Sequence, residues 1–495
     1  MSQWYYLVLG FIVWNGLLLS WLPQLEAQPL AARLAEDSIG RLDDFFDIGN
    51  TPLNALVETE LWFPQRVDHM DDTNEETFPQ LYYLNDTYYQ PGGPVYLYTP
   101  GEAPNRPRTV TRGFLLKLAE ETQGLVISLE HRYYGRSNPV PDLSPQNMRF
   151  LSVAQALRDF VNFMHKVPLP QIADRENIRW IIVGGSYAGN LAAWMRLKYP
   201  DLVFAAYSSS APVRAKRDFY EYDLAVGDRL PCHLQISEAL DEVDRVLDEG
   251  DQTAIRDLQA QFGLEALERP GDFAGALVDQ MAGLVQYYAP PRSGKPDNVV
   301  EFCNYFFNHT QPVDGFAAAT RQYLANDKID VIEKYDTYQG ANNYTLGQAG
   351  RAWFYQTCTE FAYWQTAPPP AFLRARSQWV DLDYNEAPCR AYFGDQLPLP
   401  VNVESLNWEY NSDHISVDRV YFVNGEFDPW RRLSVSSPVS PHRPSTEDTP
   451  VQIINGASHC YDLRQPNEDT DWPQLLAVRD DAIDAFKRWL KTPSE

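Results

Sequence analysis

Apolar residues fall into short unbroken runs bounded by glycine and proline in two separate stretches of the chain, the signature of strands buried on both faces of a parallel sheet. Pro94 to Thr99 and Leu125 to Glu130 are two such runs, and the helical stretch Val110 to Thr122 between them completes a βαβ unit. Ser152 heads a helix whose apolar Val153, Ala156, Leu157, Phe160, Val161 and Met164 recur at steps of three and one. Trp180 to Val183 and Leu202 to Tyr207 are further buried strands, so 93–212 reads strand, helix, strand, helix, strand, helix, strand. From about Arg214 to Gly394 the texture turns helical, as in Ile236 to Leu247 and Phe273 to Tyr288, with breaks at Pro290-Pro291 and Pro368-Pro369-Pro370. Strand texture returns at Arg419 to Asn424 and Val451 to Asn455, and Ala482 to Leu490 closes the chain as an amphipathic helix. Upstream, a mixed stretch ends in Leu61-Trp62-Phe63 and is followed by the acidic Asp68 to Glu76, an exposed loop. The predicted fold class is α/β, a doubly wound sheet with an inserted, mainly helical domain. Its segments are 45–212, 213–394 and 395–490.

Composition narrows the function. Hydrophobic residues make up 44% of the 495 positions and charged residues 22%, close to a folded soluble chain and unlike collagen, coiled coil or disorder. The excess of 67 Asp+Glu over 41 Lys+Arg, a net charge of -26, repels phosphate backbones and anionic lipid, which argues against nucleic-acid and membrane-surface partners. Trp4 to Leu22 is almost wholly apolar and is followed by Pro23 and the small Ala27, so 1–27 reads as a secretory signal. The run lacks Lys and Arg at its start and is long enough to span a bilayer, which leaves an uncleaved anchor open. Both readings put the rest of the chain outside the cell or in an acidic lumen such as a vacuole or lysosome. Asn85-Asp86-Thr87, Asn308-His309-Thr310 and Asn343-Tyr344-Thr345 fit the glycan acceptor pattern. Cys232, Cys303, Cys358, Cys389 and Cys460 are too widely spaced for a zinc ribbon and count as two disulfides plus one free thiol.

The chemistry concentrates where strand meets helix. Trp180 to Lys198 reads as strand, sharp turn, helix, with Ser186 at the turn. Such a turn lifts one side chain out of the sheet edge and demands small residues two positions to either side, places filled by Gly184 and Ala188. The helix after Ser186 aims unpaired N–H groups at a developing oxyanion, so Tyr187 N–H is one expected donor. The second comes from the loop after the first strand, from Gly101 or Glu102. A serine hydroxyl needs a base and a group to orient it. Asp428 follows the strand Arg419 to Asn424, and His459 follows Val451 to Asn455, in the order Ser, Asp, His that a doubly wound hydrolase requires. Glu426 is the rival acid, and the rigid Pro429 behind Asp428 favours Asp428. His131, His165, His233, His309 and His414 lack a strand-end context and read as surface or packing residues. His442 lies in a Ser/Pro-rich loop, and Cys460 reads as a small buried neighbour of the base. This chemistry requires no cofactor and no metal.

Several separated motifs carry a resemblance: Glu130-His131-Arg132-Tyr133-Tyr134-Gly135-Arg136-Ser137, Gly184 to Tyr199, Ser210-Ala211-Pro212-Val213, Cys358-Thr359-Glu360, Asn424 to Trp430 and Ala457-Ser458-His459. From about Leu61 to Leu490 the chain resembles the prolyl carboxypeptidase and dipeptidyl peptidase II family of serine peptidases, in its secreted fungal form. The resemblance implies an α/β-hydrolase domain with a helical cap inserted between its two halves, and cleavage after proline at acidic pH. It implies Ser186, Asp428 and His459 as the triad, and Tyr187, Asn190, Tyr363 and Trp430 as the proline pocket, where flat aromatic faces suit a pyrrolidine ring. Asn190 and Tyr363 depart from the apolar or thioether residues of some relatives. The resemblance also implies disulfides Cys232 with Cys303 and Cys358 with Cys389, proline-containing peptides or proteins as substrates, and a monomer or homodimer. Attack on a C-terminal residue, an N-terminal dipeptide or a mid-chain loop all stay open, with Glu102 and Glu360 as acidic groups that either grip an N-terminal amine or serve as structural acceptors. A carboxylesterase or lipase on the same fold, and a non-catalytic binding protein, are the competing readings.

Overall fold

The buried runs of the sequence become strands Val95–Tyr98 (β3), Leu125–Leu129 (β4), Trp180–Gly185 (β5), Val203–Ser209 (β6), Val420–Gly425 (β9) and Val451–Ile454 (β10) in the computed structural model, and Leu61–Arg66 (β1) and Thr77–Asn85 (β2) precede them. The structure describes residues 59–291, 296–467 and 470–492, so the apolar segment 1–27 read as a signal lies outside the described residues. All eight strands form one sheet in the order β1-β2-β4-β3-β5-β6-β9-β10. Only β2 runs against the rest, pairing antiparallel with both β1 and β4, whereas β4, β3, β5, β6, β9 and β10 are mutually parallel. Parallel pairing requires crossovers, and the helices supply them on both faces. Val95, Leu97, Leu125, Ile127 and Ile182 pack toward the helices Val153–Lys166 and Tyr187–Lys198. Their alternates Tyr96, Val126, Ile181, Val183 and Tyr207 pack toward Phe114–Thr122 and Pro473–Leu490. The two-residue side-chain period of a strand thus builds two cores from one sheet.

Several elements differ from the sequence reading. The strands β1 and β2 were not foreseen, because the apolar run they share is broken by Pro64, Pro79 and the loop Asp68 to Glu76, and their pairing is long-range. Val110 to Thr122 is not one helix: a 3-10 turn at Pro107–Val110 is separated from Phe114–Thr122 by Gly113, which adopts φ 87°, a conformation glycine alone takes cheaply. Phe273 to Tyr288 divides into Pro270–Ala276 and Asp279–Gln286. The closing helix is longer than its apolar periodicity, running Pro473–Leu490. Ser152 does cap Val153–Lys166, accepting the Gln155 N–H at 3.3 Å.

Between β6 and β9 the chain leaves the sheet, and the described part of this excursion is helical apart from the short parallel pair Lys216–Asp218 (β7) and Ala362–Trp364 (β8). The last helix of the excursion, Val403–Tyr410, already rests on the sheet domain, with Tyr410 stacked on Trp194 at 4.5 Å. Disulfides join Cys232 to Cys303 and Cys358 to Cys389, the pairing the resemblance implies, and Cys460 is a buried free thiol. Asn308 is exposed at the end of the helix Asn298–Phe307, and Asn343 is half-buried. Asn85, the third acceptor candidate, closes β2. It is buried, its Nδ2 donates to Val110 O at 2.7 Å and its Oδ1 accepts the Thr87 N–H at 3.0 Å. No helix among the described residues is long and apolar enough to cross a membrane.

Candidate active site

Local sterics dictate the turn at Ser186. A Cβ on Gly184 would lie 2.1 Å from the Ala188 carbonyl oxygen, and one on Gly189 would lie 2.7 Å from the Ser209 carbonyl oxygen. The crowding leaves Ser186 at φ 57° and ψ -130° between β5 and the helix Tyr187–Lys198, a strained conformation for a residue with a side chain. Its N–H is tied to Ser209 O at 2.9 Å and its C=O accepts from Gly189 and Asn190 at 2.9 and 3.2 Å. The side chain is left partly exposed at the C-terminal edge of the sheet.

Asp428 and His459 reach the same edge from loops after β9 and β10. Asp428 Oδ1 accepts from His459 Nδ1 at 2.9 Å and from the Trp430 N–H at 2.9 Å, and both residues are buried. The contact is between a carboxylate acceptor and Nδ1, so Nδ1 carries the proton and Nε2 is the unprotonated nitrogen of the neutral ring. Burial pushes the imidazole pKa down, yet the Asp428 carboxylate and the neighbouring Cys460 outweigh it and hold His459 well above its usual value. Glu426, the rival acid, is exposed and accepts the Gly456 N–H at 2.9 Å. The loops of Ser186 and His459 touch one residue away from each: a Cβ on Gly185 would lie 2.9 Å from Cys460 Sγ, and the Cys460 N–H donates to Ser210 Oγ at 2.8 Å.

The loop after β3 lies over the start of the same helix, where a Cβ on Gly101 would be 3.1 Å from Ala188 Cβ. Gly101 N–H points to Thr99 Oγ1 at 3.3 Å. Glu102 is 5% exposed, and burial raises its pKa to about 7, against smaller opposing effects of its own backbone N–H and of His459. Glu360 is also raised to about 7 by burial, but its carboxylate accepts the Val153 N–H at 3.0 and 3.2 Å and Gln356 Nε2 at 3.3 Å. Glu360 is thus committed to the start of the helix Val153–Lys166, and Glu102 is the buried acid that feels the charge of His459.

Tyr187, Asn190, Tyr363 and Trp430 come together. Asn190 Nδ2 donates to Pro212 O at 3.1 Å and meets Tyr363 Oη at 3.5 Å, while Tyr363 Oη donates to the same carbonyl. The Tyr363 ring lies edge-on to Trp430 at 5.4 Å and stacks on Phe361 at 5.3 Å, and Phe361 meets Tyr187 at 5.3 Å. Tyr363 arrives by an irregular route: one π-helical turn, Thr357–Phe361, then Ala362 and Tyr363 at φ 55° and 58°. Such turns and strained residues gather at functional sites. Phe219 and Tyr222, each 5.5 Å from Trp430, and Gln286, which accepts the Trp430 indole N–H at 3.0 Å, belong to the same cluster. No sequence signal marked these three. His131, read as a packing residue, is buried behind Tyr187: its Nδ1 is 2.7 Å from Arg132 O, so its Nε2 accepts from Tyr187 Oη at 3.1 Å.

Around this geometry the sequence matches the family described as Serine carboxypeptidase S28 over residues 65–482. It is 34% identical over 464 residues to the thymus-specific serine protease of Homo sapiens, covering 88% of this chain and 87% of that protein. It is 29% identical over 483 residues to the "Probable extracellular serine carboxypeptidase" of Arthroderma benhamiae (strain ATCC MYA-4681 / CBS 112371), covering 87% of this chain and 66% of that protein. Among solved structures, a bacterial heroin esterase aligns over 94% of this chain and 95% of that one, with 11% identity and a TM-score of 0.38. The family match runs from the end of β1 into the closing helix and takes in the loops of Ser186, Asp428 and His459, and the chain belongs to the Serine carboxypeptidase S28 family of serine-type peptidases.

Proposed function

We propose that this peptidase is secreted or lumenal and hydrolyses peptide bonds on the C-terminal side of proline in acid, through Ser186, His459 and Asp428. The observation that carries the reading is the buried pair of His459 Nδ1 and Asp428 Oδ1 at 2.9 Å, set one residue from the contact with the Ser186 turn. Ser186 attacks the scissile carbonyl while His459 Nε2 takes its proton, Asp428 stabilises the imidazolium, and the proton passes to the leaving amine. Water then attacks the acyl-enzyme with His459 again as base. The Tyr187 N–H, first in its helix and without an acceptor there, faces the developing oxyanion. Since Gly101 N–H is turned to Thr99 Oγ1, the Glu102 N–H is the second donor, and its own carboxyl is the competing acceptor. Below about 7 that carboxyl is neutral, a weaker acceptor that also adds no second negative charge to His459, which favours work in acid. The aromatic cluster of Tyr187, Phe361, Tyr363 and Trp430 offers apolar faces to a prolyl ring. We assign the helical excursion between β6 and β9 the part of a cap over this cluster.

The test is digestion of peptides with proline at the second, middle and penultimate positions, read by mass spectrometry from pH 4 to pH 7 with Ser186→Ala as control. Serine-dependent cleavage after proline is expected, and the cleaved position reads the mode of attack. Cleavage that survives Ser186→Ala would sink the triad. Turnover of short acyl esters alone, with every peptide intact, would move the reading to an esterase.

A further inference from the structure

Gln286 ends the helix Asp279–Gln286 inside the helical excursion and is 6% exposed. Its Oε1 accepts from Trp430 Nε1 at 3.0 Å and from Tyr222 Oη at 2.7 Å, and its Nε2 donates to Tyr287 Oη at 2.6 Å. An indole N–H can only donate, so the amide orientation is settled by its partners. The same residue also reaches the base: its backbone C=O, one of the carbonyls a helix end leaves without an internal partner, accepts the His459 N–H at 3.1 Å. The preceding carbonyl, of Val285, accepts from Ser458 Oγ at 2.7 Å. Trp430 is held at its other end by Asp428 Oδ1 on its backbone N–H at 2.9 Å. One glutamine of the excursion therefore touches the loop of the acid, the loop of the base and two aromatic rings of the pocket.

We infer that Gln286 is a specificity-determining positioning residue, which fixes the Trp430 indole as a wall of the pocket for the residue preceding the scissile bond. This rests on the Ser186 triad reading above. Its backbone carbonyl steadies the His459 loop whatever the side chain, whereas the side-chain oxygen acts on Trp430 and Tyr222. Removing that oxygen strands two donors, and the partly exposed indole recovers a partner by turning its N–H toward water, which moves the pocket wall. The effect on Ser186 is smaller than the effect on the pocket wall. The two contributions separate in experiment, because a small phosphonate reports on Ser186 without filling the pocket.

Gln286→Met keeps the length and deletes the acceptor. At pH 5, the ratio of kcat/KM between the wild type's first- and second-ranked residues at the position before the scissile bond is expected to fall tenfold or more. The rate of labelling by a small ethoxy fluorophosphonate, which does not fill the pocket, should fall by a smaller factor than kcat/KM for the first-ranked substrate. Gln286→Glu, protonated when buried at that pH and so still offering a carbonyl acceptor and a donor, should restore the ratio. A folded Gln286→Met with an unchanged ratio would overturn the inference, as would equal losses in labelling and in both substrates. If Gln286→Met does not accumulate as folded protein, Trp430→Phe decides: it keeps a ring and deletes the N–H, and an unchanged ratio would overturn the inference equally. Wild-type protein that resists the phosphonate would instead overturn the triad reading, and this inference with it.

Discussion

Glu102 is a buried acid whose pKa burial pushes up to about 7 and which feels the charge of His459, and its own charge state reaches the site in two ways. As a carboxylate it adds to the charge that already holds His459 above its ordinary value, which lowers the fraction of neutral imidazole at a given pH. It also competes for its own N–H, the proposed second oxyanion donor. Both effects vanish when the carboxyl is neutral. The sign follows: a carboxyl raised to about 7 is neutral in acid and ionises as pH climbs past that value. Glu102→Gln should therefore alter kcat/KM by a constant factor below about pH 6, and its activity relative to wild type should rise as pH passes 7. A pH-independent ratio in the profiles would remove Glu102 from the account.

At the scale of elements, the segment Glu130 to Ser137 shows how a recognisable run becomes a frame. Glu130 accepts from the N–H groups of Asn105, Arg136 and Ser137 at 2.9, 2.9 and 2.8 Å, His131 backs Tyr187, and Tyr134 Oη donates to Gln356 at 2.7 Å. Arg132 is wholly buried; it grips both oxygens of Asp159 at 2.7 and 2.6 Å and donates to the carbonyls of Arg66, Val67 and Phe150. That ties the end of β1 to the helix Val153–Lys166 through one guanidinium. His69 adds a third contact to Asp159 at 2.8 Å. Asp159→Asn should leave Arg132 buried without its counter-charge and cost about 3–5 kcal/mol, read as a fall in the urea midpoint. His69→Gln, which keeps a donor, should cost less than about 1.5 kcal/mol. Equal losses in the two variants would show that charge is not what Asp159 supplies.

At the scale of the molecule, the two disulfides lie between β6 and β9 and none crosses into the sheet. Cys358 belongs to the π-helical turn that delivers Tyr363, and its bond to Cys389 fastens that turn to the helix Leu382–Phe393. The bridge closes a span of 31 residues, so its loss should cost about 3–4 kcal/mol. The double variant Cys358→Ser, Cys389→Ser should show that loss in denaturant unfolding, together with a weaker preference in the pocket proposed at Tyr363. Unfolding that matches wild type would mean that the turn is held by its ring stacking alone. The net charge of -26 concerns partners and solubility and leaves the fold aside.

Much of this is legible in the sequence. Buried runs, the small residues around Ser186 and the order Ser, Asp, His follow from short-range sterics and from the covalent order of strands. Gly184 is readable because its Cβ would strike Ala188, four residues on. What the chain order could not disclose is decided by contacts between distant residues. The β1 and β2 pair depends on a partner, β4, that follows some forty residues later. Asn85 matched an acceptor pattern, and only folding committed its amide to Val110. Glu102 and Glu360 looked alike until Glu360 met the Val153 N–H, 207 residues away. Gln286 carried no mark because its role is made by Tyr222 and Trp430, at separations of 64 and 144 residues. Sequence by itself determined the parallel strands from β3 onward, the Ser186 turn and the class of chemistry, because each rests on neighbours in the chain. Burial, and with it the charge state of each acid and the partner of each amide, came from tertiary structure, because desolvation and hydrogen bonding depend on which surfaces the fold brings together.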